Sequence, residues 1–284
     1  ASSEHTGLAR EVARQSIVLL KNKDKLLPLK KDIRTLAVIG PNADNVYNML
    51  GDYTAPQADG TVVTVLDGIR QKVSKETRVL YAKVCAVRDS SRTGFKDAIE
   101  TARNADAVVM VMGGSSARDF SSEYEETGAA KVTINQISDM ESGEGYDRAT
   151  LHLMGRQLEL LEEISRLGKP VVLVLIKGRP LLMEGAIQEG EAIVDAWYPG
   201  MQGGNAVADV LFGDYNPAGR LTLSVPRSVG QLPVYYNTRR KGNRSRYIEE
   251  PGTPRYPFGY GLSYTTFSYT DMKVQVTEGS DDCR

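Results

Sequence analysis

Residues 160–176 read Leu160-Leu161-Glu-Glu-Ile164-Ser-Arg-Leu167-Gly168-Lys169-Pro170-Val171-Val-Leu-Val-Leu-Ile176, and the architecture follows from them. With Leu153 upstream, Leu160, Leu161, Ile164 and Leu167 recur at helical spacing. Gly168 stops that helix and Pro170 prevents its renewal. The run that follows is apolar at every position. Strands of that kind are covered on both faces, which is the habit of parallel sheets. The same signal recurs at Leu36–Ile39, Val79–Tyr81, Ala107–Met112, Ala192–Trp197 and Leu221–Val225. Helical patterns lie between the runs. One covers about residues 94–104, one starts at Pro180, and one holds Ala206, Val207, Val210 and Leu211 before Gly213. A further helix opens the chain, with Leu8, Ala9, Val12, Ala13, Ser16, Leu19 and Leu20 as its stripe. Alternation of strand and helix predicts the α/β class, as a three-layer α/β/α sandwich on a mostly parallel sheet.

Composition narrows the function. The 284 residues are 41% hydrophobic and 25% charged with a net charge of −1, so nothing favours nucleic acid or an anionic membrane as partner. No apolar run approaches the ~20 residues of a membrane span. The chain opens Ala1-Ser-Ser-Glu-His5, so any targeting segment lies outside it. Cys85 and Cys283 are the cysteines, and with His5 and His152 they make no metal-ligand spacing; neither a disulfide framework nor a metal is expected. Asn243-Arg-Ser245 is a glycosylation sequon in a basic stretch that otherwise reads as a solvated face.

The loops carry the chemistry. Ligands of open α/β sheets bind at the carboxyl ends of the strands. Four unusual loops fall there: Gly40–Asp44 with Gly51-Asp52-Tyr53, the long excursion Gly113–Asp147, Lys177-Gly-Arg179, and Tyr198–Gly204. Asp52 and Tyr53 suit sugar contacts, with Tyr53 and Tyr198 offering rings to a pyranose face. The excursion ends in Glu141-Ser-Gly-Glu144-Gly-Tyr-Asp147-Arg148, where glycines flank a carboxylate and let the backbone approach a ligand. Asp147 and Arg148 are expected to hold each other and so position the loop. A carboxylic acid presented in this way suits proton donation.

Several stretches, in order, resemble the second domain of glycoside hydrolase family 3, the β-glucosidase and β-xylosidase type enzymes. They are Ala9–Ala13, Ile17–Asn22, Val38–Ala43, Ser142–Arg148, Lys169–Val174, Gly203–Ala206, Leu211–Pro217 and Tyr256–Tyr264. The resemblance implies a retaining, exo-acting glycosidase without cofactor, acting on terminal β-D-glucosyl or β-D-xylosyl residues of oligosaccharides or β-glycosides. It implies Glu144 as acid/base, with Glu141 as the competing carboxylate, and Tyr53 near the leaving-group sugar. It also implies a nucleophile on a preceding barrel domain that this chain lacks, so the chain alone is expected to be inactive. A retaining mechanism needs two carboxylates about 5–5.5 Å apart, and a closed cleft to keep the acid protonated. The expected organisation is a sandwich over residues 1–262, then a linker and the first strand of a fibronectin type III-like domain over residues 263–284. Such enzymes are periplasmic or extracellular.

Other classes compete. Gly113-Gly-Ser115-Ser-Ala117 after a strand, with Asp139 and His152 following, has the residue order of an α/β-hydrolase triad, although no helix pattern follows Ser115. A non-catalytic sugar-binding domain is the other alternative. The Gly40 loop lacks the further glycines of a dinucleotide fingerprint.

Overall fold

The computed structural model describes residues 2–117, 126, 139–182, 185, 189–237 and 247–274. The middle of the long excursion, most of the helix expected after Pro180, the sequon and Cys283 lie outside the described residues. Residues 180–182 are themselves non-helical.

Helix α1 (Ser3–Ser16) is capped by the Ser2 hydroxyl, which accepts from the His5 amide, and ends at Ile17. The expected stripe ran on to Leu20. Instead Val18–Asn22 form β1, because Leu19 faces one core while Val18 and Leu20 face the other, an alternation that only a strand provides. Within α1, Ala13 is buried but Leu8 and Val12 are exposed.

Next come β2 (Thr35–Ile39), α2 (Val65–Lys72), β3 (Arg78–Ala82), α3 (Phe95–Arg103) and β4 (Ala107–Gly113). After them follow α4 (Gln157–Ser165), β5 (Val171–Ile176), β6 (Ala192–Trp197) and α5 (Gly203–Leu211). The six strands form one sheet in the order β1-β6-β5-β4-β2-β3. Every pairing is parallel except that of edge strand β1, which runs antiparallel to β6.

Alternate residues serve two cores. Leu36, Val38, Val109, Val111, Val172 and Val174 pack with residues of α2 and α5. Ala37, Ile39, Val108, Met110, Leu173 and Leu175 pack with α3 and α4. The sandwich therefore has the expected three layers, and burial of both sheet faces is the reason its central strands are apolar throughout.

The strand expected over residues 221–225 is absent. Residues 221–225 make a single bridge, Val225 to Tyr256, plus backbone bonds such as Leu221 N to Tyr260 O (2.9 Å). Leu221 and Val225 are buried in the α3/α4 core, so their apolarity serves packing outside the sheet. In residues 264–269, Tyr264 donates its hydroxyl to Val210 O (2.6 Å), while Phe267 and Tyr269 are exposed and pair with no described strand. Leu262 N bonds Leu19 O (2.8 Å), tying this end of the fold to β1.

Candidate active site

The loops that follow β2, β4, β5 and β6 meet at one edge of the sheet, the carboxyl edge of its parallel strands. Asn42 is buried there, donating through Nδ2 to Gly114 O (3.0 Å) and Ile176 O (3.3 Å). Asn48 Nδ2 donates to Asn42 Oδ1 (2.7 Å), and the Ser115 hydroxyl to Asn48 Oδ1 (2.6 Å). This chain of side chains stitches the β2, β4 and β5 loops together. Each member is buried and bonded, as buried polar groups must be.

On that floor stands the 141–148 loop. Glu141 and Ser142 are buried, whereas Gly143, Glu144 and Gly145 are exposed. Gly143 has φ +113°, and a β-carbon there would lie 2.8 Å from Asp52 Oδ2, so only glycine lets the tip pass this close. The Glu144 amide then donates to Asp52 Oδ2 (3.2 Å), and the Tyr53 hydroxyl donates to Glu144 Oε2 (2.6 Å). Tyr53 is 82% exposed, which leaves its ring accessible to a sugar. Asp52, Tyr53 and Glu144, chosen from the sequence, thus come together although the loops are some 90 residues apart in the chain.

Other residues sit differently. Arg148 does not turn to Asp147, which is exposed; it donates through Nη1 to Glu141 Oε2 (2.6 Å) and through Nη2 to His152 O. Glu141, buried where Asp147 is exposed, is the stronger partner for Arg148. Glu141, the competing acid, is locked under the tip with Arg148 and with Arg179 Nε at 3.8 Å. Tyr198, considered for stacking, lies instead against the backbone of Gly51 and Gly178. Its hydroxyl is 2.8 Å from Ser142 Oγ, and burial pushes that phenol above its ordinary range.

The triad order is not assembled. Ser115 is fully buried and donates to Asn48, Asp139 accepts the Val87 and Arg88 amides (3.0 and 2.9 Å), and His152 is exposed. Sequence reasoning missed a further pair at the same edge. Lys177 and Asp195 are both fully buried with Nζ and Oδ2 2.6 Å apart, but off the line of a good hydrogen bond, so charge attraction dominates. The Lys177 ammonium also lies 4.1 Å from the Trp197 ring centroid. An aspartate inside the apolar run of β6 was the signal that could have found it. Among the described residues no group of three or more His, Cys, Asp or Glu side chains could hold a metal ion, and no helix is long and apolar enough to cross a membrane.

Fold and rim together define an α/β sandwich domain that presents a solvent-facing carboxylate beside an exposed tyrosine. The glycosyl hydrolase family 3 C-terminal domain model matches residues 17–264, and the chain belongs to that family. It is 42% identical over 97% of its length to a β-xylosidase of Formosa agariphila, covering 36% of that protein. It is 40% identical over 95% of its length to a periplasmic β-glucosidase of Salmonella typhimurium, again covering 36%. A β-glucosidase structure from Listeria innocua in complex with glucose superposes with a TM-score of 0.77 at 32% identity, over 94% of this chain and 34% of that one. The chain thus spans about a third of the length of the relatives it matches.

Proposed function

We propose that this chain is the acid-bearing domain of a retaining, exo-acting β-glycosidase that removes terminal β-D-glucosyl or β-D-xylosyl residues. Glu144 is its general acid/base. The observation that carries the reading is the tip itself: an exposed carboxylate between glycines, its amide held by Asp52 and its Oε2 by the Tyr53 hydroxyl. Two hydrogen bonds fix the direction of the group, which is what proton transfer at a defined glycosidic oxygen requires. Asp52 holds the backbone of the tip through the Glu144 amide. The nucleophile comes from a barrel domain elsewhere in the polypeptide, and the chain alone is inactive. The sandwich unit extends over residues 1–262, and residues 263–284 lead into a further module. The enzyme works in the periplasm or outside the cell, in keeping with its Salmonella relative's name.

The test is made in the whole enzyme. Glu144→Ala should slow hydrolysis of aryl β-glycosides with poor leaving groups by roughly 10²–10⁴-fold. A dinitrophenyl glycoside, whose leaving group needs no proton, should form the glycosyl-enzyme normally. Added azide should then speed turnover and appear as a β-glycosyl azide. Equal losses on both substrates, with no azide product, would move the acid role away from Glu144.

A further inference from the structure

Glu141 is a buried carboxylate that the proposed chemistry does not use. It lies three residues before Glu144, at the foot of the loop whose tip carries the acid. Its Oε2 takes the Arg148 guanidinium at 2.6 Å, and Arg179 Nε stands at 3.8 Å. Both arginines hold the loop's backbone or its exit as well. Arg179 Nη2 donates to Tyr146 O (2.9 Å), and Arg148 Nη2 to His152 O. One carboxylate therefore gathers two cations that grip the chain on the far side of Glu144. The loop's near side is fixed independently: Glu141 N and Ser142 N both bond Ser115 O, at 2.8 and 3.2 Å. Gly114 is part of the same arrangement, since a β-carbon there would meet Glu141 Oε1 at 1.9 Å. A side chain at 114 would therefore displace the carboxylate from its place beside the arginines.

We propose that Glu141 is a positioning residue: through Arg148 and Arg179 it ties the far foot of the 142–147 loop to the near foot that Ser115 holds, and so aims Glu144 at the glycosidic oxygen. The inference rests on the acid/base reading of Glu144. Misplacing a reacting group by about 1 Å costs on the order of a hundredfold in rate. A loosened clamp should therefore act on the step that needs the proton and spare substrate binding.

Glu141→Gln keeps the shape and removes the charge. In the whole enzyme it should lower kcat on a poor-leaving-group glycoside about a hundredfold with little change in KM. The loss on the dinitrophenyl glycoside should be far smaller, and azide should give no acceleration because the Glu144 carboxylate is still present. In the isolated chain the same change should speed hydrogen exchange at amides 142–147. Should Glu141→Gln fail to fold, Arg179→Gln leaves the Glu141–Arg148 pair in place and is read in the same two ways. Unchanged exchange at 142–147 overturns the clamp, as does a loss that is equal for both leaving groups. Azide acceleration in Glu141→Ala would make Glu141 the acid itself. Loss of leaving-group dependence in Glu144→Ala would instead overturn the reading of Glu144, whatever the exchange data show.

Discussion

Lys177 and Asp195 show what a single residue can conceal. In the sequence Lys177 stands where a strand ends and a polar loop begins, and it reads as part of the rim offered to a ligand. In the fold it is among the largest fully buried side chains, balanced by Asp195 and roofed by Trp197. Removing one partner strands the other charge away from water. Lys177→Met should cost about 3–5 kcal/mol. The double variant Lys177→Met/Asp195→Leu should recover much of that loss, and urea unfolding of both variants measures the difference. The acid loop was legible to a different degree. Glu144, Asp52 and Tyr53 could be chosen because glycines and an aromatic at strand ends carry a local signal. The partner of Arg148 could not, since nothing in Glu141-Ser-Gly-Glu144 says which glutamate is buried.

At the scale of elements, five of the six strands were readable, and the antiparallel edge strand β1 was not. β2, β4, β5 and β6 are apolar on both faces and announce themselves. β1 was absorbed into the preceding helix because Ile17–Leu20 continue its apolar stripe, and 221–225 looked like a strand because packing alone made it apolar. Helix α2 went unseen for a specific reason. Gly68 interrupts its helical pattern, and a β-carbon there would lie 2.0 Å from Gly204 O, so glycine is needed where α2 passes close to α5. The same helices meet around Asp209 of α5, whose side chain is 1% exposed. It accepts from Arg10 of α1 (2.6 and 2.7 Å) and from Lys72 of α2 (2.5 Å), with Arg14 Nε at 3.8 Å. Burial pushes this carboxyl up, but hydrogen bonds from Arg10 and Lys72 outweigh it and hold it below the usual range. A carboxyl depressed in the folded state stabilises above its unfolded value, near 3.9, and that contribution drains away as pH falls through the folded value. Urea midpoints should therefore drop between about pH 4 and pH 2, and Asp209→Asn should flatten that slope. At pH 7 the substitution should cost about 3 kcal/mol, the lower end for a buried pair because Arg10 and Arg14 keep contact with water.

For the molecule as a whole, the sheet and its two covered faces make a rigid platform, and the chemistry sits on one rim. The class of fold followed from alternation and burial, and the family from motifs spread along nearly the entire chain. What physical pattern left unreadable was any feature that depends on a contact distant in sequence, whether the Glu141 clamp, the Asp209 hub or the Asn42–Asn48–Ser115 floor. The rim is also open: Glu144 and Tyr53 both face solvent. On the proposed reading the acid meets its nucleophile only in the whole enzyme, since retention needs a second carboxylate across the sugar. The account stands most directly on the behaviour of the purified chain with aryl β-glucosides and β-xylosides. It predicts no turnover above the uncatalysed rate; turnover that disappears in Glu144→Gln would contradict it, by showing that these residues already hold a complete active site.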